Sequence, residues 1–166
     1  MICAACGFEN LQGVDECENC GADLRTVDIP RPSTGLEERL VRDHLDRIRG
    51  RAPIMVAPGT PVRAAIRQMQ EERANCLLVG EGRHLAGIFT ERDAVMKLAG
   101  KPLDGVAVSE VMTADPVVLR ADDTVAVAIH KMAVGGFRHI PLVEGDRVTG
   151  IVSSQDLVRY MLQLLG

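Results

Sequence analysis

The sequence predicts an α+β fold: two β-α-β-β-α repeats packed as a pseudo-twofold pair, preceded by a small four-cysteine metal-binding unit. Three observations predict it. Shifted by 63 residues, segment 54 to 98 lies on segment 117 to 161 without a gap. Four of the five cysteines fall in the first 20 residues, as C-A-A-C-G and C-E-N-C-G. Between these regions DIPRPSTG, residues 28 to 35, gathers two prolines, a glycine and small polar residues, the composition of a domain boundary. The expected organisation is a metal unit over 1–27, a linker and lead-in helix over 28–51, a first repeat over 52–110 and a second over 111–166.

Composition supports a packed globular chain. Of 166 residues 46% are hydrophobic and 25% charged, with a net charge of −4, so a core is within reach and disorder is not indicated. Aromatic residues are confined to Phe8, Phe89, Phe137 and Tyr160, which leaves the core to aliphatic side chains. No apolar run approaches the roughly 20 residues of a membrane-spanning helix. The opening MICAACGFEN has no basic stretch followed by an apolar one, so a signal peptide is not expected and a cytoplasmic location is. Thiols there are usually reduced, which turns clustered cysteines towards metal rather than disulfides.

The first element is the cysteine unit. Each C-x-x-C turn delivers two thiolates to one side of an ion, and two turns complete a tetrahedral shell of Cys3, Cys6, Cys17 and Cys20. The following Gly7 and Gly21 tolerate the positive φ that such turns use. Ligand type alone does not separate zinc from iron. The paired knuckles resemble those of the zinc-ribbon family, with a shorter loop between them, and the resemblance implies a structural zinc ion. Residues 1 to 30 carry six acids against Arg25 alone. That balance, before counting a doubly negative metal–thiolate centre, disfavours a phosphate backbone as partner and points to a protein contact or a structural cap.

Next comes the lead-in helix. Thr34 and Glu37 form a capping-box pattern, and Leu36, Leu40, Val41, Leu45 and Ile48 then trace an apolar stripe to an expected end near Gly50.

In each repeat a short β stretch (IMVA; PVVLR) precedes a helix opened by Thr60-Pro61 or capped by Asp123. Val62, Ile66 and Met69, and likewise Val125, Ile129 and Met132, recur at helical spacing. An apolar strand (CLLVG; HIPLV), a Glu-Gly turn, a second strand (LAGIFT; VTGIVS) and a final helix complete the unit. Cys76, at the head of such a strand, reads as a small core residue. A unit of about 50 residues is too small to bury its sheet alone, and two copies solve that together.

The stretches GIFTERD (87 to 93), GIVSSQD (150 to 156), MTADPVV (112 to 118) and RHIPLV (138 to 143) resemble the cystathionine-β-synthase (CBS) domain family, whose tandem pairs are called Bateman modules. Read physically, a strand ending in a hydroxyl residue with an Asp three positions on sets polar groups and free amides at a helix start. The plain alternative is an ordinary cap. The resemblance implies more: an adenine nucleotide (AMP, ADP or ATP) bound between the repeats, its ribose held by the Asp and its phosphate by the hydroxyl. Carried over by position, one site combines Thr90 and Asp93 with Thr113, Pro116, Val117 and Phe137; the other combines Ser153 and Asp156 with Ile54, Ala74 and Ile151. Arg138 and His139 stand where the family places phosphate-contacting groups, with His139 equally suited to a half-buried strand position, and Arg92 partly offsets their absence from the first copy. S-adenosylmethionine and NAD-type ligands stay open, as does whether one site works or two. The resemblance also implies a homodimer through the CBS helices.

Four scattered histidines and no nucleophile–base pairing leave no catalytic assignment, so a non-catalytic regulatory sensor is expected. The alternative is a nucleic-acid-associated or protein-interaction scaffold using the ribbon, with vestigial ligand sites. The acidic ribbon and the shortage of stacking aromatics count against its nucleic-acid form.

Overall fold

The computed structural model describes residues 2 to 165 except 4, 12–13, 25–33, 49, 83 and 101, so most of the expected linker lies outside the described residues. In chain order the elements are α1 (Gly35–Arg42), β1 (Met55–Val56), α2 (Val62–Glu71), β2 (Cys76–Glu81), β3 (His84–Thr90), α3 (Glu91–Leu98), β4 (Thr113–Ala114), α4 (Val125–Gly135), β5 (His139–Glu144), β6 (Arg147–Ser153) and α5 (Ser154–Leu165). The first repeat thus has its expected β-α-β-β-α order, and the second keeps its α-β-β-α part. Contacts divide the chain into two units. A sheet unit holds Gly50–Ala121 and His139–Val152; a helical unit holds Met1–Arg49, Asp122–Arg138 and Ser153–Gly166.

In the sheet unit β1 to β4 form one sheet in sequence order, β1 parallel to β2 and the remaining neighbours antiparallel. Strands β5 and β6 pair separately. Period-two alternation sorts β2 onto two cores. Leu77 and Val79 face Val62, Ala65 and Met69 of α2, with Phe89, while Cys76 and Leu78 meet Ile88 and Ile151. Burying each of the larger side chains is worth about 1.5–3 kcal/mol, and Phe89, Leu77 and Leu78 are wholly enclosed.

The repeat is kept in the strand register. Val56 pairs with Val79 in the first copy, and Leu119 with Leu142 in the second, each partner displaced by 63 positions. Yet PVVLR is no full strand. It is reduced to that single bridge, with Leu119 N–H donating to the Pro141 carbonyl, while the added strand β4 lies upstream and pairs with β3 of the other copy. Pro116 explains the break, because it has no N–H to carry a ladder from Thr113 through to Leu119.

The helical unit departs from expectation at its first helix. α1 opens at Thr34 with both bonds of the expected capping box. It stops at Arg42 rather than near Gly50, and Leu45–Arg47 form a separate short 3₁₀ turn. The cause is Asp43, whose backbone is extended. Its carbonyl accepts the Val125 N–H, and its buried carboxylate accepts Tyr160 Oη and the Arg39 and Arg47 guanidiniums, the last two at 3.0 and 3.2 Å. Tyr160 first, then Arg39, hold that carboxyl below the usual carboxylate range against the effect of burial. α1 packs on α4 and α5, and Leu45 and Ile48 are buried.

Two expected caps also move by one residue. Thr124, not Asp123, caps α4, its hydroxyl accepting the Val127 N–H; the Asp123 carbonyl instead accepts the Leu45 N–H. α2 begins after Pro61 with no side-chain cap from Thr60.

Candidate functional site

The cysteine cluster is built by two matching turns. Cys3 N–H donates to the Phe8 carbonyl and Gly7 N–H to the Cys3 carbonyl; Cys17, Ala22 and Gly21 repeat the pattern, all four bonds being 2.8 or 2.9 Å. Gly7 and Gly21 have φ of 74° and 69°, where a side chain would be strained. The four sulfurs lie within 4.8 Å of one another. Four thiolates at about 2.3 Å from one ion stand about 3.8 Å apart. Cys3 and Cys20 are separated by 3.8 Å and Cys6 and Cys17 by 3.6 Å, so the donor set fits a tetrahedral ion.

Proton demands in the cluster conflict. Burial resists ionisation of Cys17, but the Cys20 and Asn19 amides and the Asn10 side chain outweigh it and bring the thiol down to about 6. At Cys20 the Ala22 amide pulls downward, while Cys6, burial, Cys17 and Cys3 push it up to about 12. A bound cation resolves that conflict by favouring all four thiolates together. Asn10, which sequence reading did not single out, ties the turns to each other. Its amide donates to the Phe8 carbonyl and towards Cys17 Sγ, and its oxygen accepts the Glu18 N–H. A lone Asn in a loop carries no signal of that role in one sequence.

The hydroxyl–carboxylate turns are the second feature. At β3–α3, Asp93 Oδ2 accepts the Thr90 N–H at 2.9 Å and the Thr90 hydroxyl at 2.6 Å, and Asp93 N–H returns a bond to Thr90 Oγ1. At β6–α5, Ser153 and Asp156 reproduce the two contacts to Oδ2 at the same distances. The remaining oxygens differ. Asp93 Oδ1 meets Lys97 Nζ at 2.7 Å and the Thr113 hydroxyl at 3.3 Å, whereas Asp156 Oδ1 meets Arg159 at 3.1 Å. Lys97 also donates to the Val111 and Met112 carbonyls, binding α3 to the segment that enters the second repeat. Burial raises the Asp93 pKa, but Lys97 and Thr90 outweigh it and the net shift is downward. Lys97 and Arg159 were missed as partners, although their positions at i+4 and i+3 on a helix face were readable.

The structure therefore brings Thr90, Asp93 and Thr113 together in the sheet unit, and Ser153 with Asp156 in the helical unit. Arg92 is exposed. Pro116 lines a groove of about 490 Å³ with His84, Leu85, Asp115, Val118, Val143, Gly145 and Asp146, and Val117 is 40% exposed beside it in sequence. Ile54 packs at the margin of the α2-facing core, Ala74 is buried, and Ile151 belongs to the opposite core. In the helical unit the Phe137 ring lies over Gly135, filling the space a side chain there would take. Arg138 is exposed, and its carbonyl accepts the Ser154 N–H at the start of α5. His139 is half-buried at the head of β5. Burial pushes the Cys76 thiol up to about 12, consistent with a core role.

Comparisons with known proteins agree with this architecture. The family model described as "CBS domain" matches residues 45–100 and 108–163. The CBS domain-containing protein CBSCBSPB5 of Arabidopsis thaliana is 34% identical over 132 residues, covering 77% of this chain but 24% of that protein. This chain spans 17% of its relative CBSCBSPB3 from the same plant. A 17.7 kDa protein of Acidianus ambivalens is 32% identical over 112 residues, 66% of this chain and 68% of that one. The solved CBS domain pair of protein MJ0100, in complex with 5′-methylthioadenosine and S-adenosyl-L-methionine, matches with a TM-score of 0.65 at 26% identity, covering 75% of this chain and 100% of that one.

Proposed function

This chain belongs to the CBS-domain family, and from that premise we propose that it is a non-catalytic regulatory sensor that binds an adenine nucleotide between its two repeats and a structural zinc ion in its N-terminal ribbon. The observation that carries the nucleotide reading is the hydroxyl–carboxylate turn built twice, with matching distances, at the starts of α3 and α5. A carboxylate so placed accepts a ribose diol, and the adjoining helix amides favour phosphate. The adenosyl ligands of MJ0100 support the same ligand class. AMP, ADP or ATP is the preferred occupant because Arg138 offers a fixed positive charge suited to phosphate.

Zinc is favoured by four thiolates in a closed set, which leaves no open position for catalysis. Val158, Leu162 and Leu165 form an exposed apolar stripe on α5, and a second copy of the chain is its proposed partner, giving a homodimer through the helices. The acidic ribbon is read as a site for a protein partner rather than nucleic acid. No helix among the described residues is long and apolar enough to cross a membrane. A cytoplasmic setting is part of the proposal, resting on the reduced thiols that a four-cysteine metal site needs.

The test is calorimetric titration of the zinc-loaded chain with AMP, ADP, ATP and S-adenosylmethionine, alongside Asp93→Ala and Asp156→Ala. Micromolar binding that one or both variants lose supports the reading. Absence of binding to all four ligands overturns the nucleotide assignment and leaves a protein-binding scaffold.

A further inference from the structure

The ribbon is not an isolated appendage. Asp15 lies between its two knuckles, where its carbonyl accepts the Leu24 N–H and so belongs to the turn that presents Cys17 and Cys20. Its carboxylate forms an ion pair with Lys131 of α4. Lys131 has only 8% of its surface exposed, and among the described residues Asp15 is its one charged partner. In the first repeat the matching position, 63 residues upstream, is the uncharged Gln68. A buried ammonium is costly unless matched. The second repeat therefore carries a charge whose counterion is supplied by the metal-binding unit.

We propose that metal occupancy of the ribbon stabilises the second repeat selectively, through Asp15 and Lys131, so that the chain couples a metal signal to α4. Among the described residues the ribbon's core is Cys3, Cys17 and Leu24 with Val14 and Ala22 packed against it, and so small a unit depends on its ion to stay folded. When the ion leaves, the Asp15 turn loses its frame, Lys131 loses its partner, and α4 opens more readily. Helix α2 carries the uncharged Gln68 at that position and does not respond. The coupling runs both ways, since whatever secures α4 also holds the docked ribbon and raises its affinity for the ion. The Arg138 carbonyl, seven residues beyond Lys131, receives the first amide of α5, which places the metal signal beside the second hydroxyl–carboxylate turn.

This inference rests on the metal reading of the ribbon. The experiment is hydrogen–deuterium exchange on the full chain before and after removal of the ion by a strong chelator, with released zinc measured by a chromogenic indicator. The expected result is about tenfold faster exchange in peptides covering α4 and little change in those covering α2. In Lys131→Met, which places an apolar side chain under the ribbon, the same chelation leaves α4 exchange unchanged. Unchanged α4 exchange in the wild-type chain despite stoichiometric zinc release overturns the coupling and leaves the metal site standing. Equal acceleration in α2 and α4 also overturns it, because the effect is then global. Absence of releasable metal overturns the metal reading itself.

Discussion

Helices α2 and α4 hold the same place in two copies of one repeat, and they treat their outer faces differently. Both bury an inner stripe: Val62, Ala65 and Met69 in α2, Val125, Ala128 and Met132 in α4. On the next face α2 shows Ala64 exposed and Gln68 half-buried. The matching residues of α4, Val127 and Lys131, are buried. On α4 the N-terminal segment is at hand, for α1 packs on that helix and Asp15 meets Lys131. A repeat fixes the inner face of a helix, while the outer face is fixed by whatever else the chain lays on it.

The largest break in this asymmetry should come from the metal. Cys17→Ser, or chelation, should unfold the ribbon, since the ion supplies on the order of 10 kcal/mol in units of this size; loss of ribbon amide dispersion in NMR spectra would check it. Next in size is Asp15→Ala, which strands Lys131 and should cost about 1–2 kcal/mol, read from denaturant midpoints. Lys131→Met should be neutral or stabilising, because an apolar replacement removes the need for a counterion.

Tyr160→Phe should cost about 1 kcal/mol by taking one donor from Asp43. Its pH dependence has a definite sign. The folded Asp43 carboxyl ionises below its ordinary value of 3.8, chiefly because of Tyr160 and then Arg39. Its contribution is therefore present above that value and lost as pH falls through the lower folded one. Acid titration of stability should show a shallower fall below about pH 4 in Asp43→Asn than in the wild-type chain. The smallest effect belongs to α2: Gln68→Ala should stay within about 0.5 kcal/mol in the same denaturant assay.

Much of this was legible in the sequence, for reasons that differ by region. The cysteine pairs announce themselves because ligand spacing is local, and the sulfur positions follow from two turns. Thr90 with Asp93, and Ser153 with Asp156, were readable because a three-residue spacing at a helix start determines its own hydrogen bonds. The 63-residue shift revealed the repeat and survives in the pairings Val56–Val79 and Leu119–Leu142. What escaped depends on distant partners. Asp43 ends α1 early because Tyr160, 117 positions away, claims its carboxylate. Lys131 looks like a solvent-facing residue in VAVAIHKMAVG until Asp15 is found against it. Pro116 was expected at a ligand site and not as the interruption that shortens PVVLR to one bridge.

The covered face of α4 also bears on how the two halves can change over time. An internal duplication begins with interchangeable copies, and recombination between them is then harmless. Here a crossover that put α2 in place of α4 would set Ala64 where Val127 is buried and Gln68 where Asp15 needs a cation. The reverse exchange would place a valine at the exposed position of Ala64 and a lysine at the half-buried position of Gln68. The two helices are therefore not spare parts for each other, since α4 answers to Asp15 and α1.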